Sequence, residues 1–383
     1  MKERYIELDS VRGLAAVTVI LHHFFLIFPA MILDTLNNSK YNLVNIVKYS
    51  PLHIFWAGHE AVIMFFLLSG FVLSLPFYNG SELKYSKYIV KRITRIYIPY
   101  LASVIIAVLC IVLFSRGNIF GLSSWFNATW NKSIDWHLFV EHLFLINHFS
   151  NGQFNPVYWS LVHEMRISLV FPLIMFFIIR WKWMYSLGVS FLISFIGFLV
   201  SYKVNNTTDY FATLQYILIF VVGALLAKHR IEIMNYFKSL ANKLKVTLIV
   251  FSIFLYTFGW WGHILGPLYN AFSVDFAIMI GAAIFLIFSL TSGVISNFLK
   301  TRPVNYLGKI SYSLYLYHCI VLFSLIHILY NSVNIGVILL FSIILTLLVS
   351  SLAYYLIEIP SIKLGRFLTQ NRSEKFIQDK KTA

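Results

Sequence analysis

The sequence of 383 residues is 59% hydrophobic and 12% charged, with a mean hydropathy of +0.77, whereas soluble domains carry about 25% charged residues. Its net charge of +15 does not point to nucleic acid, because Lys and Arg stand in short clusters between apolar runs, where they orient a membrane protein. The two cysteines, Cys110 and Cys319, each lie inside an apolar run, which excludes a disulfide framework, and no CxxC pattern offers a metal site. What remains is an all-α polytopic transmembrane helical bundle in membrane lipid, with no nucleic-acid partner and no metal expected.

A helix crosses a hydrocarbon core of roughly 30 Å with about 20 apolar residues. Runs of that kind fall near 12–33, 57–78, 96–115, 155–179, 183–202, 211–227, 246–262, 273–292, 310–331 and 335–357. They predict about ten spans in a single transmembrane domain over 1–366, followed by a basic cytoplasmic tail over 367–383. The first run could be mistaken for a signal peptide, since Lys2, Arg4 and Arg12 precede it. His22 and His23 interrupt it, however, and no small-residue cleavage site follows, so it reads as a retained first span. The stretch 138–148, LFVEHLFLINH, is too short and too polar to cross and reads as a re-entrant or interfacial piece on the outer side. With the N-terminus placed in the cytoplasm, 24 of the 30 basic residues fall on inside segments, five on outside segments, and one, Arg166, within a span. Every inside loop is then basic, and both termini are predicted to be cytoplasmic.

Ionisable groups inside spans are costly, so each is a functional hypothesis. In the first span, LDSVRGLAAVTVILHHF, Arg12 and His23 are 11 residues apart. That is about three turns, leaving them within roughly 20° on one face and about 16 Å apart along the axis, while His22 points about 100° away. Arg12 is expected at the cytoplasmic mouth and His23 near the bilayer midplane, as a general base or as a structural histidine bonded to a neighbouring helix. The second span carries Glu60 towards the outer side and Ser69-Gly70, a pair that allows close helix approach. In KYIVKRITRIYIP, Arg92 and Arg95 share a helical face, forming a fork suited to phosphate or serving only to fix orientation. The fourth span, YWSLVHEMRISLVFPL, holds Trp159, His163, Glu164 and Arg166; its ionisable groups must face a wet cavity or pair with one another, and Glu164 is placed towards the outer side. In the ninth span His318 lies about 8 residues inside the cytoplasmic end, at a depth comparable with His23, as a second relay or a structural histidine.

These residues fall in patterns that together resemble acyltransferase family 3, the membrane-bound acyltransferases that modify surface glycans and other extracytoplasmic acceptors. Leu8, Asp9, Arg12 and Gly13, with His23 ten residues on, match its first motif. Phe65, Phe66, Leu68, Ser69, Gly70 and Phe71 match FFxLSGF, and Arg92, Arg95, Ile96 and Pro99 match a basic pair before Ile and Pro. Trp159, Ser160, Leu161 and Glu164 match WSLxxE. Ser311, Tyr312, Tyr315, Leu316 and His318 match SYxxYLxH, and Glu358 and Pro360 a closing ExP. The matches run from residue 8 to residue 360 in the family's order. One departure stands out: where the family usually continues after the Glu with aromatic residues, this chain has Met165, Arg166, Ile167 and Ser168.

The resemblance implies an O-acyltransferase of the bacterial inner membrane, with no tightly bound cofactor. It would take an acyl group, most often acetyl, from cytoplasmic acyl-CoA to a hydroxyl of an extracytoplasmic glycan or lipid-linked glycan. On that reading His23, Arg12 and Glu164 are catalytic, with His23 deprotonating the hydroxyl or carrying the acyl group itself. Arg92, Arg95, Ser69 and Gly70 bind acyl-CoA, and His318, Arg166, Glu60 and Trp159 orient the acceptor or relay protons. Some relatives carry a fused SGNH hydrolase-like domain; this sequence shows none, so the membrane part is expected to pass the acyl group unaided or to a separate extracytoplasmic transferase partner. The rival reading is a proton-coupled transporter or flippase of a glycan or lipid, because intramembrane His and Glu also suit proton relays. Against it, the sequence shows no internal pseudo-symmetry and no paired broken helices.

Overall fold

The computed structural model describes residues 5–32, 42–78, 84–130, 134, 136–147, 152–203 and 209–370. Among these residues every regular element is helical and no strand occurs. Lipid offers no water to backbone N–H and C=O groups, so each apolar run closes its own hydrogen bonds as helix. The principal helices are α1 (Ile6–Leu26), α2 (Gly58–Tyr78), α3 (Tyr85–Phe114), α4 (Tyr158–Arg180), α5 (Trp183–Ser201) and α6 (Tyr210–Lys228). After them come a bent pair, α7 (Arg230–Ser239) and α8 (Asn242–Tyr256), then α9 (Ala271–Thr291), α10 (Arg302–Leu329) and α11 (Ile335–Thr369).

Eight of these helices are individually long and apolar enough to cross a bilayer, and the bent pair raises the number to nine. Two of the ten expected spans therefore fall short of that test. Helix α1 carries Glu7, Asp9 and Arg12 in its first two turns and is packed within the bundle, where Leu8, Ala16 and Val19 are buried. Helix α8 has 15 residues, about 22 Å of rise, and meets α7 at 120°. The predicted domain end at 366 falls inside α11, which continues to Thr369; residues 371–383 of the predicted tail lie outside the described residues.

In the most apolar stretch of each helix, 72% of residues are buried in α10 and 67% in α2, against 22% in α5 and in α11. Helices α10 and α2, with α1, are thus the centre, and α5 and α11 present their sides to lipid. Glycines let the centre close. A Cβ on Gly13 would collide with the backbone of Gly308, and one on Gly308 with the Asp9 carbonyl, so α1 and α10 touch backbone to backbone. Helices α2 and α6 cross in the same way, Gly70 against the Phe220 carbonyl and Gly223 against that of Leu67. In lipid, where no hydrophobic drive pulls helices together, dispersion at such crossings holds them.

Two helices contain a π-turn, Ile93–Tyr97 in α3 and Tyr354–Glu358 in α11. These wide turns recur at functional sites, and here both border the same cavity. The segment expected to be re-entrant begins as a short helix, Trp136–His142, held against α3 where Tyr100 donates to the His142 carbonyl at 3.0 Å and Tyr97 to that of Leu143. Its far end is caught by Arg166, which donates to the Ile146 and Asn147 carbonyls at 2.9 and 2.8 Å. Arg166 lies about 12 Å along α4 from Tyr158, so the segment descends alongside that helix.

Candidate active site

His23 and His318 each lie ten residues beyond the glycine at the α1–α10 crossing, Gly13 and Gly308. Two helices that start in contact at those glycines and run parallel bring the imidazoles level, and His23 Nδ1 stands 2.8 Å from His318 Nε2. The network fixes the tautomers. His318 Nδ1 is 2.9 Å from the Leu314 carbonyl and must donate to it, so its Nε2 is bare and accepts from His23 Nδ1–H. His23 Nε2 is left with its lone pair, the atom a base or nucleophile needs. Trp125 stacks on the His23 ring at 5.3 Å and 19°. His22 turns to another helix: its Nδ1 donates to the Trp56 carbonyl at 3.2 Å, and its ring packs on Gly58. Cys319 Sγ and the two imidazoles place possible metal-ligand atoms within 4.8 Å of one another. The imidazole nitrogens that face each other share a proton, however, so they bond to one another rather than towards a common point.

Towards the start of α1, a cavity of about 600 Å³ opens among α1, α2, α3, α4, α10 and α11. Six basic side chains and three carboxylates line it. In its interior Arg12 Nη2 lies 3.4 Å from Ser69 Oγ, which in turn donates to Glu164 Oε1 at 3.1 Å. Arg92 Nη2 reaches the same Glu164 oxygen at 3.2 Å and Ser168 Oγ at 2.9 Å. Glu358 accepts from Ser313 at 2.8 Å. The inner end is bounded by Phe65 and Tyr315, whose rings meet edge-on at 5.7 Å. The Tyr315 hydroxyl is 2.6 Å from that of Ser160, and its ring is 6.2 Å from the His318 ring. Tyr315 therefore touches both the cavity and the histidine pair.

Of the residues singled out in the sequence, Arg12, Ser69, Arg92, Arg95 and Glu164 line this cavity together. Gly70 does not; it faces α6 and serves the helix crossing. Glu164 meets the arginines of α3 although it was expected nearer the opposite side of the membrane. Tyr85 and Tyr88 at the start of α3 donate to the Leu169 and Ser168 carbonyls in the middle of α4, at 3.1 and 3.0 Å. The arginines of α3 are thereby lifted to the level of Glu164. His318 pairs with His23. Glu60 and Trp159 lie in a separate cluster, apart from the cavity. There Glu60 Oε1 is 3.8 Å from His53 Nε2, and Trp159 lies nearly parallel to His59 at 6.2 Å. His59 Nε2 donates to Asp275 at 2.6 Å, and Gln215 donates to the other oxygen of that carboxylate at 2.7 Å. Arg166 clamps the re-entrant segment and reaches the Asp209 carbonyl and Thr213, with Tyr210 under its guanidinium at 4.2 Å. Sequence reasoning missed His53, His59, Asp275 and Gln215, because only His59 stands next to a residue it had marked. It also passed over Lys363 and Arg366, whose three-residue spacing behind Glu358 was a usable signal of a common helical face.

Residues 5–355 match the family described as "Acyltransferase domain", acyltransferase family 3. The chain is similar to the O-acetyltransferase OatA of Staphylococcus aureus strain MRSA252, with 25% identity over 356 residues, covering 83% of this chain and 55% of that protein. It is similar in the same degree to OatA of strain NCTC 8325 / PS 47, with 25% identity over 343 residues, 80% of this chain and 53% of the relative. The chain thus spans about half the length of the curated relatives it matches. No solved structure matches. With a match that takes in α1 to α10 and every part of the cavity wall except the end of α11, the chain belongs to acyltransferase family 3.

Proposed function

We propose that this protein is a multi-pass O-acyltransferase of the bacterial cytoplasmic membrane. It moves an acyl group, acetyl in the first instance, from acyl-CoA to a hydroxyl of an extracytoplasmic glycan. The observation that carries this reading is the basic cavity ending at Tyr315, one aromatic ring from the histidine pair. The basic bias of the loops supports a cavity mouth, and both termini, on the cytoplasmic side. The O-acetyltransferase name of the relatives supports an acetyl donor and a hydroxyl acceptor. No observation favours the transporter reading.

In the reaction, the thioester lies at the inner end of the cavity and the hydroxyl arrives from the opposite face. His23 Nε2 takes the hydroxyl proton as the oxygen attacks the thioester carbon. The C–S bond breaks, and the departing thiolate receives that proton and leaves as CoA thiol. His318 is a positioning residue: it holds His23 in the tautomer with Nε2 bare and accepts the stronger hydrogen bond once that ring is protonated. A route through a transient acyl-histidine uses the same nitrogen. Arg12, Ser69, Arg92 and Glu164 form a charged network at the donor. The test is to give the purified chain acetyl-CoA with and without surface glycan fragments. Acceptor-dependent release of CoA thiol and an acylated glycan by mass spectrometry are expected. Absence of chain-dependent thiol release with any acyl-CoA would reject the donor.

A further inference from the structure

The six cations of the cavity are not equivalent. Arg92 is 8% exposed and tied to Glu164 and Ser168, and Arg12 lies over Ser69 within the same network. Arg95, Lys309, Lys363 and Arg366 differ: their side chains are exposed, and among the described residues they make neither an ion pair nor a hydrogen bond. Two other cations at helix ends are engaged, Lys300 with Glu7 at 2.8 Å and Lys228 with the Ile178 carbonyl at 2.7 Å. These four cations come from three helices and line one cavity; Arg95 stands near enough to Glu358 and Arg12 to feel both charges, whereas Lys309, Lys363 and Arg366 do not. Helix α11 contributes a complete face, with Ile359, Ile362, Lys363 and Arg366 all lining the cavity at helical spacing. That face is held in place. A Cβ on Gly365 would collide with the Thr94 side chain, so the end of α11 is seated on the π-turn of α3.

We infer that the phosphates of the donor nucleotide are held at the rim of the cavity by Lys363 and Arg366 of α11, with Lys309, and not by Arg12 and Arg92. The inference rests on the proposed acyl-CoA donor and assigns the part of the site that recognises its charged end. The interior favours this direction. Glu164 and Glu358 also line the cavity, and Glu164 already pairs with Arg92, so a phosphate drawn to Arg92 would have to displace a carboxylate. The uncharged pantetheine arm meets no such competition and can pass to Tyr315 and Ser160. Three phosphate groups on the nucleotide match a ring of unpaired cations drawn from separate helices, since each charge-assisted contact is made at little cost in broken internal pairs.

The test compares acetyl-CoA with acetyl-pantetheine, which keeps the thioester and lacks the nucleotide, using the purified full chain and the Lys363→Ala/Arg366→Ala double variant. The KM for acetyl-CoA is expected to rise at least about tenfold, and the rise to shrink as salt is added, because these charges are exposed. Rates with acetyl-pantetheine should match the parent, which also shows that the variant is folded. Equal KM for acetyl-CoA in parent and variant would overturn the assignment while leaving the donor intact. An equal loss with both thioesters would overturn it as well, making the pair a structural prop. If the parent neither binds CoA nor turns over either thioester, the proposed function fails and the assignment falls with it. A defect seen only in vesicles containing anionic lipid, and not in detergent, would give these cations to lipid headgroups instead.

Discussion

On one side of the histidine pair, ionisable groups line an open cavity with an excess of cations. On the other side, His53, Glu60, His59 and Asp275 are packed among Trp56, Trp159 and Trp260, and the His53 and Trp260 rings are 3.8 Å apart. Burial holds the His53 imidazole down at about 2, so it is neutral. Both its nitrogens, and Glu60 Oε2, lack a hydrogen-bond partner among the described residues. Buried polar atoms without partners are expensive, which sets this cluster apart from the paired groups of the cavity. The contrast is between charge kept accessible and charge packed away. The open cavity keeps its charges accessible, and the compact cluster buries histidines, carboxylates and indoles against one another.

The sharpest way to break this comparison is at the boundary between the two regions. His23→Ala is expected to lower transfer by 10²–10⁴-fold or about that range, with CoA binding retained. His22→Ala, whose ring faces the buried cluster, should stay near the parent rate at equal membrane abundance. The reverse outcome would move the chemistry to that cluster.

A second expectation concerns the crossing that sets the pair. Gly308→Ala should cost roughly 1–3 kcal/mol through overpacking against Asp9. It should lower activity beyond what the loss of thermal stability explains, because it also pushes His318 away from His23. Gly70→Ala at the α2–α6 crossing should destabilise comparably and change activity only as much as folded protein is lost. If the two variants lose activity in proportion to stability alike, the spacing of the histidines is not critical.

Within the polar regions themselves, Glu164→Gln removes a charge-assisted pair with Arg92 of about 1.5–3 kcal/mol. It should raise the donor KM and leave the acceptor KM nearly unchanged. Glu60→Gln should do the opposite. Equal effects of both on the donor would merge the two regions into one site. The smallest change is expected from Arg166→Lys, which loses the forked contacts to the Ile146 and Asn147 carbonyls. A fall in stability of roughly 1 kcal/mol with both KM values near parent would mark it as a clamp on the re-entrant segment.

The helical bundle was legible because hydropathy is local: a run of apolar residues has one solution in lipid, wherever its neighbours lie. The same holds for the separation of His23 from His22, which follows from 3.6 residues per turn on a single helix. Helix α1 marks the limit, since its acidic and basic first turns keep it from passing as a span on composition, and α10 and α2 pack around it. What the sequence could not decide were the partners across helices. His23 meets His318 because two glycines admit backbone contact ten residues earlier. Glu164 meets Arg92 because two tyrosines hang the start of α3 on the middle of α4. Lys363 and Arg366 reach the cavity because a glycine seats α11 against Thr94. In each case, the composition of one helix sets which face carries a group, and the steric fit between two backbones sets what that group can touch.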